Sequence, residues 1–128
     1  MAVAQRLVRR VCKNCGKPRQ ISKEEFEKIK AKLKGVKIKN LPPLTEKTKI
    51  LEAKGCKACN FTGYTGRIGI FEVFVVDPEL EKFILTSPPI SALRDLVVKK
   101  GMITMQQDGF IKVLEGTTTI EEVERVVT

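Results

Sequence analysis

The sequence predicts an α+β module: a four-cysteine zinc-knuckle lobe carrying a short β-hairpin and a basic helical arm, followed by a small cluster of four helices. Three observations predict it. Cys12-Lys-Asn-Cys15 and Cys56-Lys-Ala-Cys59 form two C-x-x-C pairs that use every cysteine of the 128-residue chain. Residues 49–54 alternate in polarity, and residues 67–76 are rich in Ile, Val and Phe, both patterns of strands. From Asp77 onward the punctuation turns helical, with cap residues placed before apolar positions three and four apart.

Three segments follow from this reading. Residues 1–11 are expected to be the end of a helix continuing from an absent, larger part, because Val3, Leu7 and Val11 are spaced four apart and Arg6, Arg9 and Arg10 lie mostly off that face. Residues 12–76 form the zinc lobe. Within it Ser22-Lys-Glu-Glu25 is a capping box that opens a helix over 23–34, with Ile21 stapled onto Phe26 and a thin apolar stripe of Phe26, Ile29 and Leu33. Gly35 is expected to end that helix, and Pro42-Pro43 marks 36–44 as an extended connector. The strands near 49–54 and 67–76 flank the second knuckle and could pair with each other, with Gly63 and Gly66 turning the chain between them.

Residues 77–128 form the helical cluster. Asp77-Pro78 reads as an N-cap with proline at the first helical position, burying Leu80, Phe83 and Ile84. Pro88-Pro89 breaks this helix, and Ser91 is expected to cap a second carrying Leu93, Leu96 and Val97. Thr104-x-x-Gln107 opens a third with Phe110, Val113 and Leu114 inward. Thr119-x-x-Glu122 opens a fourth with Ile120, Val123 and Val127 inward.

The chemistry of the chain sits in its cysteines. Cys12, Cys15, Cys56 and Cys59 suit one tetrahedral Zn²⁺, because two intervening residues let a short loop present both sulfurs and the second pair closes the coordination sphere. Gly16 and Asn60 follow the second cysteine of each pair, where a tight turn favours residues that tolerate positive φ. A redox dithiol, a disulfide or four unrelated thiols are the competing readings. A sulfur-saturated zinc has no open position for water, so the site is structural. No catalytic and no cofactor-binding residues are assigned: the chain has no histidine and no G-x-x-x-x-G-K-[ST], and its Glu121, Glu122 and Glu124 are expected to serve a helix dipole. Arg67, between glycines, could reach a phosphate or carboxylate across an interface, or act locally by pairing with Glu72 or capping knuckle carbonyls.

Charge is divided unevenly. Residues 1–60 hold 17 Lys+Arg against 5 Asp+Glu, and residues 61–128 hold 7 against 10, within an overall +9. The basic half would favour an acidic protein face, anionic lipid or nucleic acid with salt-sensitive affinity, or simply be a solvated surface. One Tyr and no Trp supply little for base stacking, so no nucleic acid is expected, although a zinc-ribbon nucleic-acid-binding module is the alternative reading. The longest apolar run, residues 68–76, falls well short of the roughly twenty residues that span a bilayer. Free thiolates as ligands point to a reducing cytosol.

One ordered string of motifs carries a family resemblance. Ala4-Gln-Arg-Leu-Val-Arg9 precedes Cys12. Gly55-Cys-x-x-Cys-x-x-Thr-Gly-Tyr64 leads into Gly66-Arg67-x-Gly69-Ile-Phe-Glu-Val73. Gly101-Met102-x-Thr104, Asp108-Gly109 and Gly116-x-Thr118-Thr-x-Glu-Glu-Val123 follow. Together these resemble the C-terminal region of the ATPases of type II secretion and type IV pilus assembly. The lysine-rich stretch 18–54 between the cysteine pairs departs from that pattern. The resemblance implies a cytoplasmic hexameric motor, peripheral to the inner membrane through its partners, that binds ATP and Mg²⁺ in a part absent here. It also implies the chain's own partners: that ATPase core, neighbouring subunits and an inner-membrane platform protein. A repeated-knuckle module for unfolded chains would need eight cysteines, and four are present.

Overall fold

A computed structural model describes residues 1–34 and 44–127. The order is β1 (Ala2–Val11), β2 (Lys17–Gln20), α1 (Lys23–Lys32), β3 (Lys49–Glu52), a 3-10 turn at Lys57–Cys59, β4 (Tyr64–Phe74), α2 (Pro78–Ile84), α3 (Ile90–Lys99), α4 (Met105–Leu114) and α5 (Ile120–Val127). The fold is α+β, as expected. Gly35 and most of the connector at 36–44 lie outside the described residues.

Residues 2–11 are a strand, which corrects the helix expected there. β1 pairs antiparallel with β4 from Ala2↔Phe74 to Arg9↔Arg67, and the register shifts at a bulge before Val11↔Tyr64. The spacing of Val3, Leu7 and Val11 fits both periods; a β-branched partner of eleven residues decides between them. The pairing of 49–54 with 67–76 is likewise corrected. β3 instead pairs with β2, Lys17↔Glu52 to Gln20↔Lys49, a strand hidden by its Lys-Pro-Arg-Gln composition. Pro18 is tolerated because this is a two-stranded sheet in which every strand is an edge.

The helical caps follow the sequence closely. Ser22 and Thr104 make full capping boxes with Glu25 and Gln107. Asp77 accepts from the Leu80 N–H, with Pro78 at the first position. α3 starts earlier than Ser91 would place it, with Pro89 in the extended cap conformation and no side-chain cap. Thr119 makes only half a box: its hydroxyl accepts from the Glu122 N–H, but the Glu122 carboxylate points elsewhere.

The main core joins both halves of the chain. Ile21, Ile29 and Leu33 of the arm and Ile50 of β3 are buried with Phe110, Ile111 and Val113 of α4 and Ile120 and Val123 of α5. The thin stripe of α1 therefore rests on α4, as its narrowness implies. α4 and α5 approach closely at Gly109, where a Cβ would stand 2.6 Å from Val123 Cγ1. α2 and α3 pack on each other, with Leu80 and Val97 buried.

The hairpin of β1 and β4 has two unlike faces. Val8 and Ile70 are fully buried on the face toward α4 and α5. The opposite face presents Val3, Leu7, Phe71 and Val73, exposed by 55%, 49%, 42% and 41%. The Phe71 ring lies over Gly69, where a Cβ would meet it at 2.9 Å. No described helix is long and apolar enough to cross a membrane.

Candidate metal centre

The four cysteines meet at one end of this hairpin. Cys12 and Cys15 leave β1 through a tight turn, in which Gly16 N–H donates to the Cys12 carbonyl at 2.8 Å. Cys56 and Cys59 bracket the 3-10 turn, and Asn60 closes it at φ 54, the left-handed conformation its position demands. Gly16 does not adopt positive φ, contrary to expectation. It is required there by close approach, because a Cβ would stand 2.6 Å from Val11 Cγ1 and 2.8 Å from the Cys12 oxygen. Cys12 N–H donates to the Gly63 carbonyl at 2.9 Å, tying the two knuckles through backbone as well.

All four sulfurs lie within 4.8 Å of one another, and no disulfide joins them. Cys12–Cys56 and Cys15–Cys59 are 3.8 Å apart and Cys56–Cys59 3.7 Å. A tetrahedron with Zn–S of about 2.3 Å has an edge of about 3.8 Å. These two separations between the knuckles thus match the separation within the second, as one four-sulfur site requires. Two independent dithiols would draw the sulfurs together in pairs. The cluster therefore fits Zn²⁺ in size and donor chemistry, and the bound ion would supply charge neutralisation and cross-linking.

Backbone and side-chain N–H groups aim at the sulfurs as they would at thiolates. Gly55 N–H donates to Cys15 at 3.3 Å, Cys56 and Gly63 N–H to Cys59 at 3.2 Å, and the Asn14 amide to Cys56 at 3.2 Å. Burial pushes the Cys59 thiol up, but the N–H groups of Cys56 and Gly63 outweigh it and bring it to about 6. The Asn14 amide is the main cause that lowers Cys56, whereas burial raises Cys15. Gly55, at φ 104, lets the chain pass within 2.8 Å of the Phe61 oxygen, measured from where a Cβ would stand.

A second cluster, which the sequence reading missed, locks the metal end of the hairpin to α5. The Glu122 carboxylate, with its side chain 1% exposed, accepts from the Arg9 backbone N–H at 3.1 Å and from the Arg9 guanidinium at 3.1 and 2.9 Å. It also accepts from Arg125 at 2.5 Å. Burial pushes this carboxyl up, but Arg125 and Arg9 hold it down at about 2. The Arg9 guanidinium lies 4.4 Å over the Tyr64 ring, and the Tyr64 hydroxyl meets that of Thr119 at 2.7 Å. Thr118 donates to the Arg9 carbonyl at 2.8 Å. Glu122 thus lies in the first turn of α5, as expected of a dipole partner, and is an ion-pair anchor as well. Its one sequence signal was the Thr-Thr-x-Glu-Glu string itself. Arg67 stands opposite Arg9, exposed, and Glu72 pairs with Arg94 at 3.0 Å instead of with Arg67.

The sequence has relatives among known proteins. The family described as "Type II/IV secretion system protein" matches residues 1–125. The type IV pilus assembly ATPase PilB of Thermus thermophilus is 33% identical over 124 residues, covering 94% of this chain and 13% of that protein. The type II secretion system protein E of Pectobacterium carotovorum subsp. carotovorum is 35% identical, covering 97% of this chain and 22% of its own length. The type II secretion system ATPase E of Vibrio cholerae is 34% identical with the same coverage, 97% and 22%. The chain thus spans only about a fifth or less of these relatives. It belongs to the type II/IV secretion system protein family.

Proposed function

We propose that the chain is the non-catalytic, zinc-stapled part of a cytoplasmic hexameric ATPase that powers type II secretion or type IV pilus assembly. In this reading Cys12, Cys15, Cys56 and Cys59 hold a structural Zn²⁺, while ATP and Mg²⁺ are bound elsewhere in the parent. The relatives named as ATPases are more than four times longer, which leaves room for that machinery. The metal gives the knuckles a fixed shape. In zinc peptides such binding contributes roughly 10–16 kcal/mol, as much as the whole stability of a domain.

The observation that carries the docking role is the bare face of the hairpin. Val3, Leu7, Phe71 and Val73 form a contiguous apolar strip on one side of a sheet whose other side is packed. A two-stranded sheet with such a face is incomplete alone. The parent's ATPase core is the occupant that this reading assigns to it, so that α4 and α5, tied to the same hairpin, carry the core's motion outward. The exposed lysines of the arm, Lys23, Lys30, Lys32 and Lys34, would meet an acidic surface on the inner-membrane platform protein.

Two measurements test this. Elemental analysis of the chain purified under reducing conditions should find one zinc per chain. In the parent protein Leu7→Glu should lower ATP turnover at least tenfold by placing a charge in the docked face, a cost of more than about 1.4 kcal/mol. Absence of stoichiometric metal, or unchanged turnover, would refute the corresponding half of the reading.

A further inference from the structure

We propose that the tip of the metal knuckles, Phe61 flanked by Lys13, Lys54 and Lys57, is a docking surface for an anionic lipid bilayer. Phe61 is 70% exposed and sits at φ 62, directly after Asn60 at φ 54. Two consecutive left-handed residues with side chains are an unfavourable arrangement that glycine would relieve. The turn is nevertheless pinned in place: Phe61 N–H donates to the Cys56 carbonyl at 2.8 Å, and Gly55 passes against the Phe61 backbone. An aromatic ring is thereby held out in water by a strained, rigid loop, which calls for a partner in which the ring is buried.

The chemistry around the ring names that partner. Lys13 follows Cys12, Lys57 follows Cys56, and Lys54 precedes Gly55, so all three are anchored at the sulfur cluster, and all are exposed. Residues 9–23 and 53–67, which build the cysteine end of the hairpin, contain no Asp or Glu, and the carboxylates nearest to it are Glu52, opposite Lys17, and Glu122, buried against Arg9 and Arg125. Among the described residues none of Lys13, Lys17, Lys54, Lys57, Arg10 and Arg67 forms an ion pair.

The tip is open to solvent throughout, with Lys57, Ala58, Asn60, Phe61 and Thr62 all exposed. A protein partner would need a pocket shaped for the ring, whereas a fluid bilayer accepts a protruding ring without one. One ring is also too few for a nucleic-acid stacking platform. A lone inserted aromatic and a small polybasic ring are each weak membrane signals and together sufficient for reversible binding. This inference does not rest on the docking of the hairpin face.

The chain has no tryptophan, so Phe61→Trp places a single reporter at the tip. Its emission should shift to the blue with vesicles of phosphatidylcholine mixed with phosphatidylglycerol, and stay unchanged with phosphatidylcholine alone. In vesicle flotation of the unaltered chain, Lys13→Gln and Lys57→Gln should each weaken binding about fivefold, the effect of one lysine at an anionic surface. Phe61→Asn, which suits the left-handed backbone and keeps the fold, should weaken it further. An unshifted emission, or Phe61→Asn binding as tightly as the unaltered chain, overturns the proposal. So does a preference for polyglutamate or a single-stranded oligonucleotide over the anionic vesicles, which would assign the tip to acidic protein or nucleic acid.

Discussion

Gly109→Ala sets two known effects against each other at a place where the geometry decides between them. Gly109 lies within α4, and an alanine there gains about 1 kcal/mol of helix propensity. The added Cβ, however, would stand 2.6 Å from Val123 Cγ1 and 3.0 Å from Cγ2. Carbon pairs prefer about 3.5–4.0 Å, so the helices must separate or Val123 must leave its rotamer, and a β-branched residue has few others. Val123 itself is fully buried. Overpacking costs about 1–3 kcal/mol, and a 2.6 Å approach to a fully buried, β-branched side chain belongs to the upper part of that range, about 2–3 kcal/mol, so it outweighs the propensity gain and leaves a net loss of about 1–2 kcal/mol. Urea denaturation should show a midpoint lower by about half to one molar. Val123→Ala opens a cavity when made alone, but in the alanine background it also removes the clash, so the double variant should be more stable than additivity allows by about 1 kcal/mol. A Gly109→Ala protein at least as stable as the parent, or an additive double variant, refutes the close-packing argument.

Glu122→Gln should cost about 2 kcal/mol at neutral pH, because the carboxyl is held at about 2 against an ordinary 4.5 while both arginines remain partly exposed and screened. A depressed carboxyl stabilises the fold above about pH 4.5, and the contribution is lost as pH falls toward 2, so denaturation curves of the two proteins should converge over that window. Both lose metal alike in acid, which leaves their difference informative; a gap that persists at pH 2 refutes the ion-pair account. In the isolated chain Leu7→Glu, on an already exposed face, should change stability by no more than about 0.5 kcal/mol by the same assay.

What could be read in the sequence was local, and what could not was relational. Cap chemistry is written in neighbouring residues, so Ser22, Asp77 and Thr104 were legible, as was the cysteine spacing whose four sulfurs the fold brings together. Strand pairing is set by segments far apart. Val3, Leu7 and Val11 match helix and strand equally until Phe71 and Val73 stand beside them, and Lys17–Gln20 looks like a loop until β3 supplies its ladder. The ion pair of Glu122 was hidden for the same reason, since Arg9 lies more than a hundred residues away, even though its other partner Arg125 is only three residues on.

If the four sulfurs hold Zn²⁺ as proposed, removing it should therefore unravel the knuckles without melting the protein. The main core of Ile21, Ile29, Leu33, Ile50, Phe110, Ile111, Val113, Ile120 and Val123 contains none of the four cysteines. Val8 and Ile70 anchor the hairpin on α4 and α5, and the Glu122 cluster clamps β1 at Arg9, three residues before the first sulfur. By contrast, residues 53–63 bond mostly among themselves and are tied to the rest of the fold chiefly through the sulfurs and the Cys12 N–H to Gly63 bond, with Ala58, Asn60, Phe61 and Thr62 all exposed. Hydrogen exchange after chelation under reducing conditions should show lost protection at Gly16, Cys59, Phe61 and Gly63, with the amides of α4, α5 and the middle of β1 and β4 retained. Global loss of protection would mean that the ion holds the whole fold, as in a zinc finger, and that the buried apolar residues cannot sustain it alone.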